Sequence, residues 1–303
     1  MAHKNKRTKN PLRNAGDLGR LMAEGDKHLA LYYVGRERYV DKALCIDDPV
    51  IFMMGPKGIG KSAVLQMVRL EKTRDQKRII NIAPDDLAFS ALANLKVESP
   101  MLTDAVRGTW LFKSLWDYVL LMELWEKENS QPQNRLERFV SLFTKTKDKK
   151  RIERLFEITI SDSGKATTLT NRILELIKEI ELSGKINNIG VGGSVKIANG
   201  GSKQFELLSE INNAVKKLPA MLEHNYYVLI DDLDLYWKND PNQNAFIAAL
   251  FLSLRKLSTP PIKFMVSIRE DIYNCLPLPD KDKSRDRICS RLSNIFSVNS
   301  FFF

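Results

Sequence analysis

An α/β fold is predicted, in three layers, with a mostly parallel sheet between helices and a mainly helical insertion. Three observations predict it. Apolar runs recur at Pro49–Met54, Arg78–Ile82, Tyr226–Ile230 and Ile262–Ile268, and short apolar runs without alternation read as strands buried on both faces. Segments with apolar residues at helical spacing lie between these runs. A glycine-rich octet, Gly55-Pro56-Lys57-Gly58-Ile59-Gly60-Lys61-Ser62, joins the first run directly to a helical segment, Ala63–Leu70.

The octet fits the pattern G-x-x-x-x-G-K-[ST] without a mismatch. Gly55, Gly58 and Gly60 allow backbone conformations that a side chain would forbid, so the N–H groups can turn inward. Together with the following helix N-terminus, at Ala63, they are expected to form a concave anion site. Pro56, Lys57 and Ile59 would line it through their backbone. Lys61 is placed to reach β- and γ-phosphates, and the Ser62 hydroxyl to ligate Mg²⁺.

A second motif is Tyr226-Tyr227-Val228-Leu229-Ile230-Asp231-Asp232-Leu233-Asp234. A buried strand ending in carboxylates delivers acid groups to the carboxyl edge of a sheet, where ligands bind in open α/β folds. Asp231 is the candidate to hold Mg²⁺, directly or through water. Asp232 is the candidate to polarise an attacking water. Asp234 either supports the site or caps the next element.

Asn242–Leu257 reads as an amphipathic helix that Pro260-Pro261 stop. Ile262–Ile268 then forms a strand followed by Arg269-Glu270-Asp271. Ser267 and Arg269 are candidates to sense a γ-phosphate. Alternatively, Arg269 pairs with Asp271 or Asp234 and only shapes the loop.

With these residues in view, the chain resembles the AAA+/STAND branch of P-loop ATPases, in particular bacterial KAP-like and origin-recognition-like members. Gly55–Ser62 carries the likeness, and Ile230–Asp234 is close to the DDLD form of KAP-like ATPases. Tyr33-Val34-Gly35-Arg36-Glu37 looks like the G-R-E element that sits beside adenine in such proteins. Ile268–Tyr273 is similar to an R-x-D-I-[YF] run of poorly characterised bacterial P-loop ATPases. The resemblance implies ATP and Mg²⁺ as cofactors, Arg36 near the base and Arg269 near the terminal phosphate. It also implies homo-oligomers, with an effector partner in a nucleotide switch of bacterial systems such as phage defence. This class more often carries Glu where Asp232 stands.

The pattern departs from that family at the end. Only about 35 residues follow the sensor strand, too few for a helical lid with its own core. A terminal Phe301-Phe302-Phe303 is a poor solvent-exposed ending. The expectation is that the tail docks on this domain or a partner, or that the lid is absent or truncated.

Composition narrows the class. With 303 residues, 44% of them hydrophobic, the chain can bury a sizeable core. The segment Met1–Arg20 is basic and polar with no apolar signal region. The most apolar long stretch, Trp110–Trp125, is interrupted by Lys113, Asp117 and Glu123 and reads as a core helix rather than a membrane span. Trp110, Trp116 and Trp125 accordingly read as core rather than as a base-stacking platform. Cys45, Cys275 and Cys289 have no paired or zinc-like spacing, which suggests reduced cytoplasmic thiols. His3, His28 and His224 form no cluster.

Net charge is +10. Lys4, Lys6, Arg7, Lys9, Arg13 and Arg20 against Asp17 give residues 1–20 about +5. Lys145, Lys147, Lys149, Lys150 and Arg151 form a second basic cluster. Either these contact a DNA or RNA backbone or they are solvated surface.

The organisation expected is a basic flexible arm at 1–25, a first core part at 26–94, a mainly helical insertion at 95–222, a second core part at 223–275 and a tail at 276–303. Helices are expected at 105–127, 133–144, Thr167–Ser183 and Gln204–Leu222, with a glycine-rich hairpin or loop at 185–202. The function expected is Mg²⁺-dependent ATP hydrolysis to ADP and phosphate, used as a switch. ATP is favoured because no N-K-x-D guanine-reading motif occurs. The alternatives are a nucleic-acid-associated loader or remodeller and a nucleotide-binding interaction module with little turnover.

Overall fold

The structure, a computed structural model, describes residues 23–26, 28–33, 39–47, 50–71, 78–84, 105–128, 135–143, 200–257 and 259–278, with isolated positions at 153, 172, 173, 176 and 177. Residues 1–22 of the expected arm, the basic cluster Lys145–Arg151, the residues Gly35-Arg36-Glu37 and nearly all of the tail lie outside them.

Four strands form one parallel sheet: β1 (Val50–Met54), β2 (Ile79–Ile82), β3 (Tyr226–Ile230) and β4 (Ile262–Ile268). The spatial order is β1-β4-β3-β2. β3 and β4 are buried along their whole length, the burial that gives a parallel strand its continuous apolar run.

Eight α-helices and two short 3-10 turns, Ala23–Gly25 and Leu218–Met221, complete the described elements; the helices are α1 (Leu29–Tyr32), α2 (Asp41–Leu44), α3 (Lys61–Glu71), α4 (Ala105–Glu128), α5 (Arg135–Ser141), α6 (Gly200–Lys217), α7 (Pro241–Leu257) and α8 (Glu270–Cys275). The β1-α3-β2 crossover runs across the sheet in one direction and β3-α7-β4 in the other. Right-handed connections therefore put α3 and α7 on opposite faces. The contacts agree: α1 and the turn at Ala23–Gly25 pack on α3, whereas α4 packs on α7 and α6. The result is an α/β arrangement of sheet and helices.

α7 departs from its expected amphipathic pattern. Phe246, Ile247, Ala249, Leu250 and Leu254 are fully buried, and so is Ser253. The cause is its position between the sheet and α4. Phe251 stacks on Phe52 of β1 at 4.8 Å, and Phe246 stacks on Trp116 of α4 at 4.6 Å. Ser253 and Trp116, both buried, find partners, as burial requires. The Ser253 hydroxyl donates to the Lys113 carbonyl at 3.1 Å, and Trp116 Nε1 donates to the Phe246 carbonyl at 2.9 Å. Asp240 caps the helix by accepting from the Asn242 N–H at 2.8 Å, with Pro241 at the first position.

α4 is the apolar stretch read as a core helix. Two of its interrupting charges neutralise each other, because Lys113 and Asp117 pair one turn apart while buried. Trp116 and Trp125 are fully buried, and Trp110 is partly so. No helix among the described residues is long and apolar enough to cross a membrane. Arg172, itself buried, reaches Glu126 at 2.8 Å and Glu123 at 3.4 Å, which ties its segment to α4. α6 begins at Gly200, inside the stretch expected to be loop. The two glycines occupy its first turn, where N–H groups have no helical partner anyway.

Lys263 in β4 is wholly buried, which the sequence did not signal. Its ammonium donates to the carbonyls of Cys45 at 2.7 Å and Lys42 at 3.3 Å. The Tyr227 hydroxyl donates to the Leu44 carbonyl at 3.1 Å. Two strands thus latch the C-terminal end of α2, where carbonyls lack helical partners and a cation is favoured. Replacing Lys263 with Met is expected to lower unfolding stability by about 1–3 kcal/mol, the penalty for stranding buried acceptors. Urea denaturation reads this directly, and an unchanged midpoint would contradict the latch.

Candidate functional site

All four strands run the same way, so their carboxyl ends open on one edge. Gly55 follows β1, Asp231 follows β3 and Arg269 follows β4. Because β4 lies between β1 and β3, Arg269 leaves the sheet between the glycine loop and the acidic turn. This edge is where open α/β sheets bind ligands.

The loop conformation depends on its glycines. Gly58 has φ +87° and Gly60 φ +97°, values that side-chain-bearing residues rarely adopt. A Cβ at either would meet no atom within 4 Å. Backbone conformation, not lack of room, therefore requires glycine there, and the space beside both residues is open. Gly55 differs, since a Cβ there would lie 3.1 Å from Ile59 Cγ2 as the loop closes on itself. The Val64 N–H donates to the Gly60 carbonyl at 3.1 Å, starting α3. A helix leaves its first N–H groups without helical partners and carries partial positive charge at that end. Lys61, Ser62 and Ala63 form this first turn, with Lys61 buried and Ser62 and Ala63 half-buried. Pro56 and Lys57 are exposed on the rim.

Lys61 bridges the loop. Its Nζ donates to the Gly55 carbonyl at 3.0 Å and the Pro56 carbonyl at 2.9 Å. Burial pushes its pKa below the usual lysine value, while the charges of Asp234 and Asp231 pull it back up. The positive charge is thus held near two carboxylates from another strand.

Asp231 is buried at the lip of the sheet. Its N–H donates to the Ile82 carbonyl at 3.1 Å, which extends the β2–β3 ladder one residue beyond β3. Asp232 takes a left-handed φ of +56° and is exposed. Asp tolerates that region better than most residues. The reversal lets Leu233 return fully buried to the core. Asp234 is more than a cap, because it is the largest of the charges acting on Lys61 and its Oδ2 lies 3.8 Å from Arg269 Nη1.

Arg269 pairs with Asp271. Nε donates to Asp271 Oδ1 at 3.0 Å, and Nη2 donates to Oδ2 of the same carboxylate. This bidentate pairing raises the guanidinium pKa and holds the Asp271 carboxyl below its usual value. Ser267, the other sensor candidate, is buried within β4 opposite Met53. The pairing of Arg269 with Asp271 or Asp234 was legible in sequence, but the influence of Asp234 on Lys61 was not.

The residues present fit a magnesium–nucleotide group. Among the described residues no cluster of three His, Cys, Asp or Glu could hold a metal unaided. Mg²⁺ commonly takes one or two carboxylates together with substrate phosphates and water. Asp231 and the Ser62 hydroxyl suit that mode, and the open space beside Gly58 and Gly60 suits phosphate oxygens. Arg36 falls outside the described residues. No family model, curated protein or solved structure matches the chain.

A Cβ at residue 60 would have to adopt its positive φ. Gly60→Ala is therefore expected to destabilise the fold by about 1–2 kcal/mol, the order of the left-handed penalty for L-residues. A denaturation midpoint equal to the parent's would show that the loop does not hold this conformation.

Proposed function

We propose that the protein binds ATP with Mg²⁺ and hydrolyses it to ADP and phosphate, acting as a nucleotide switch of the P-loop ATPase kind. The observation that carries this reading is the juxtaposition at one sheet edge. A positive-φ glycine loop opens α3, its lysine is buried across the loop, and Asp231 ends a strand separated from β1 only by β4. Helix N-termini after glycine loops bind phosphate through backbone N–H groups and the helix dipole. The switch reading rests on the likeness to STAND-type ATPases.

In this reading the chain supplies positioning and charge. The loop from Gly55 to Ser62, with Ala63, holds the phosphates. Lys61 moves its ammonium from the loop carbonyls towards phosphate oxygens. Ser62 and Asp231 hold Mg²⁺, which when bound neutralises charge developing on the phosphates. Asp232, exposed in its left-handed turn next to Asp231, accepts a proton from the attacking water. Arg269 lies at the terminal-phosphate end.

Two tests follow from the roles of Lys61 and Asp232. Lys61→Ala should abolish ATP binding in calorimetry. Asp232→Asn, which keeps a residue tolerant of positive φ, should retain binding and lose turnover by about 10²–10⁴-fold, the usual contribution of a general base. Intact binding in the first variant or full turnover in the second would contradict the assignment.

The pH response has a definite sign. Lys61 has a folded-state pKa below its ordinary 10.5, so a bound phosphate, by favouring the ammonium, draws a proton onto it once pH exceeds that lowered value. Affinity should therefore fall as pH rises through a window that begins below 10.5. Lys61→Arg, whose charge persists, should remove the fall.

A further inference from the structure

We propose that Asp271 is the counter-ion that Arg269 exchanges for the terminal phosphate of a bound nucleoside triphosphate, so that the Arg269–Asp271 fork tells triphosphate from diphosphate. The proposal rests on reading this edge as a phosphate site, and it assigns a regulatory residue to that site.

Geometry carries it. Arg269 is the first residue past β4, the strand between the glycine loop and Asp231. Nε and Nη2 are both engaged by Asp271, while Nη1 faces Asp234 at 3.8 Å. The guanidinium is thus already at the site edge, but two of its three nitrogens serve a carboxylate. Carboxylate and phosphate accept from the same planar fork, so one occupant excludes the other. The competing pair is screened by solvent, since Asp271 is exposed and Arg269 half-exposed.

The backbone beneath the pair is fixed. The Tyr273 N–H donates to the Arg269 carbonyl at 3.1 Å, Ile272 and Tyr273 are buried, and the Tyr273 ring packs 5.8 Å from Phe251. The exchange is therefore a change of side-chain partner, not a movement of α8. A diphosphate leaves the fork with Asp271. A triphosphate takes it, and Asp271 becomes an unpaired carboxylate at the protein surface.

The test is titration calorimetry with Mg²⁺ and either a non-hydrolysable ATP analogue or ADP. Asp271→Asn should tighten the triphosphate about two- to fivefold, the strength of an exposed pair converted to a ratio, and leave ADP unchanged. Asp271→Glu, which keeps the carboxylate, should behave as the parent. In an Arg269→Ala background, Asp271→Asn should have no effect. The proposal is overturned if Asp271→Asn weakens the triphosphate, shifts both nucleotides alike, changes neither, or acts without Arg269. If the parent chain binds neither nucleotide, the phosphate-site reading falls with it. Binding that needs Lys61 but ignores Asp271 overturns only the exchange.

Discussion

The position of β4 between β1 and β3 is the constraint on which the site depends. A parallel sheet brings all strand ends to one edge, but order decides which ends meet. With β4 in the middle, the glycine loop stands on one side and the Asp231–Asp234 turn on the other, with Arg269 rising between them. The burial of β3 and β4 along their full lengths fits their places in the middle of the sheet. Both must be covered on each face, by α3 on one side and by α7 with α4 behind it on the other. The aromatic stacks of Phe52 on Phe251 and Phe246 on Trp116 run through these layers and tie the long helix α4 to the strand that carries the loop.

The charges at the edge form a connected set. Lys61 is held by two loop carbonyls under the influence of Asp234 and Asp231. Asp234 faces Arg269, which is gripped by Asp271. Burial works against the Lys61 ammonium, and the carboxylates compensate. The opposite end of the sheet uses a buried lysine differently. Lys263 is fully enclosed and bonded to carbonyls of α2, so it stabilises a chain segment rather than presenting a charge.

Much of this was legible in the sequence, for identifiable reasons. The octet and the apolar runs are local signals, and they placed β1 to β4, α3 and the core helix 105–128 close to where they lie. The shortfall came from tertiary context. The helix 241–257 looked amphipathic because Gln243 and Ser253 are polar, yet both are buried with partners that only packing supplies. The burial of Lys263 had no signal in the sequence, because nothing local shows that carbonyls of Lys42 and Cys45 converge on it. Which carboxylate grips Arg269 also depended on geometry, since both Asp234 and Asp271 were within plausible reach along the chain.

The central claim is that Asp231 and the glycine loop together make a magnesium–triphosphate site. The most direct measurement is equilibrium binding of a non-hydrolysable ATP analogue to the parent chain and to Asp231→Asn, each with and without Mg²⁺. The account predicts that Mg²⁺ tightens binding to the parent and does so much less in the variant, with metal-free binding retained in both. Binding that is indifferent to Mg²⁺ in the parent, or equally Mg²⁺-dependent in the variant, would contradict it.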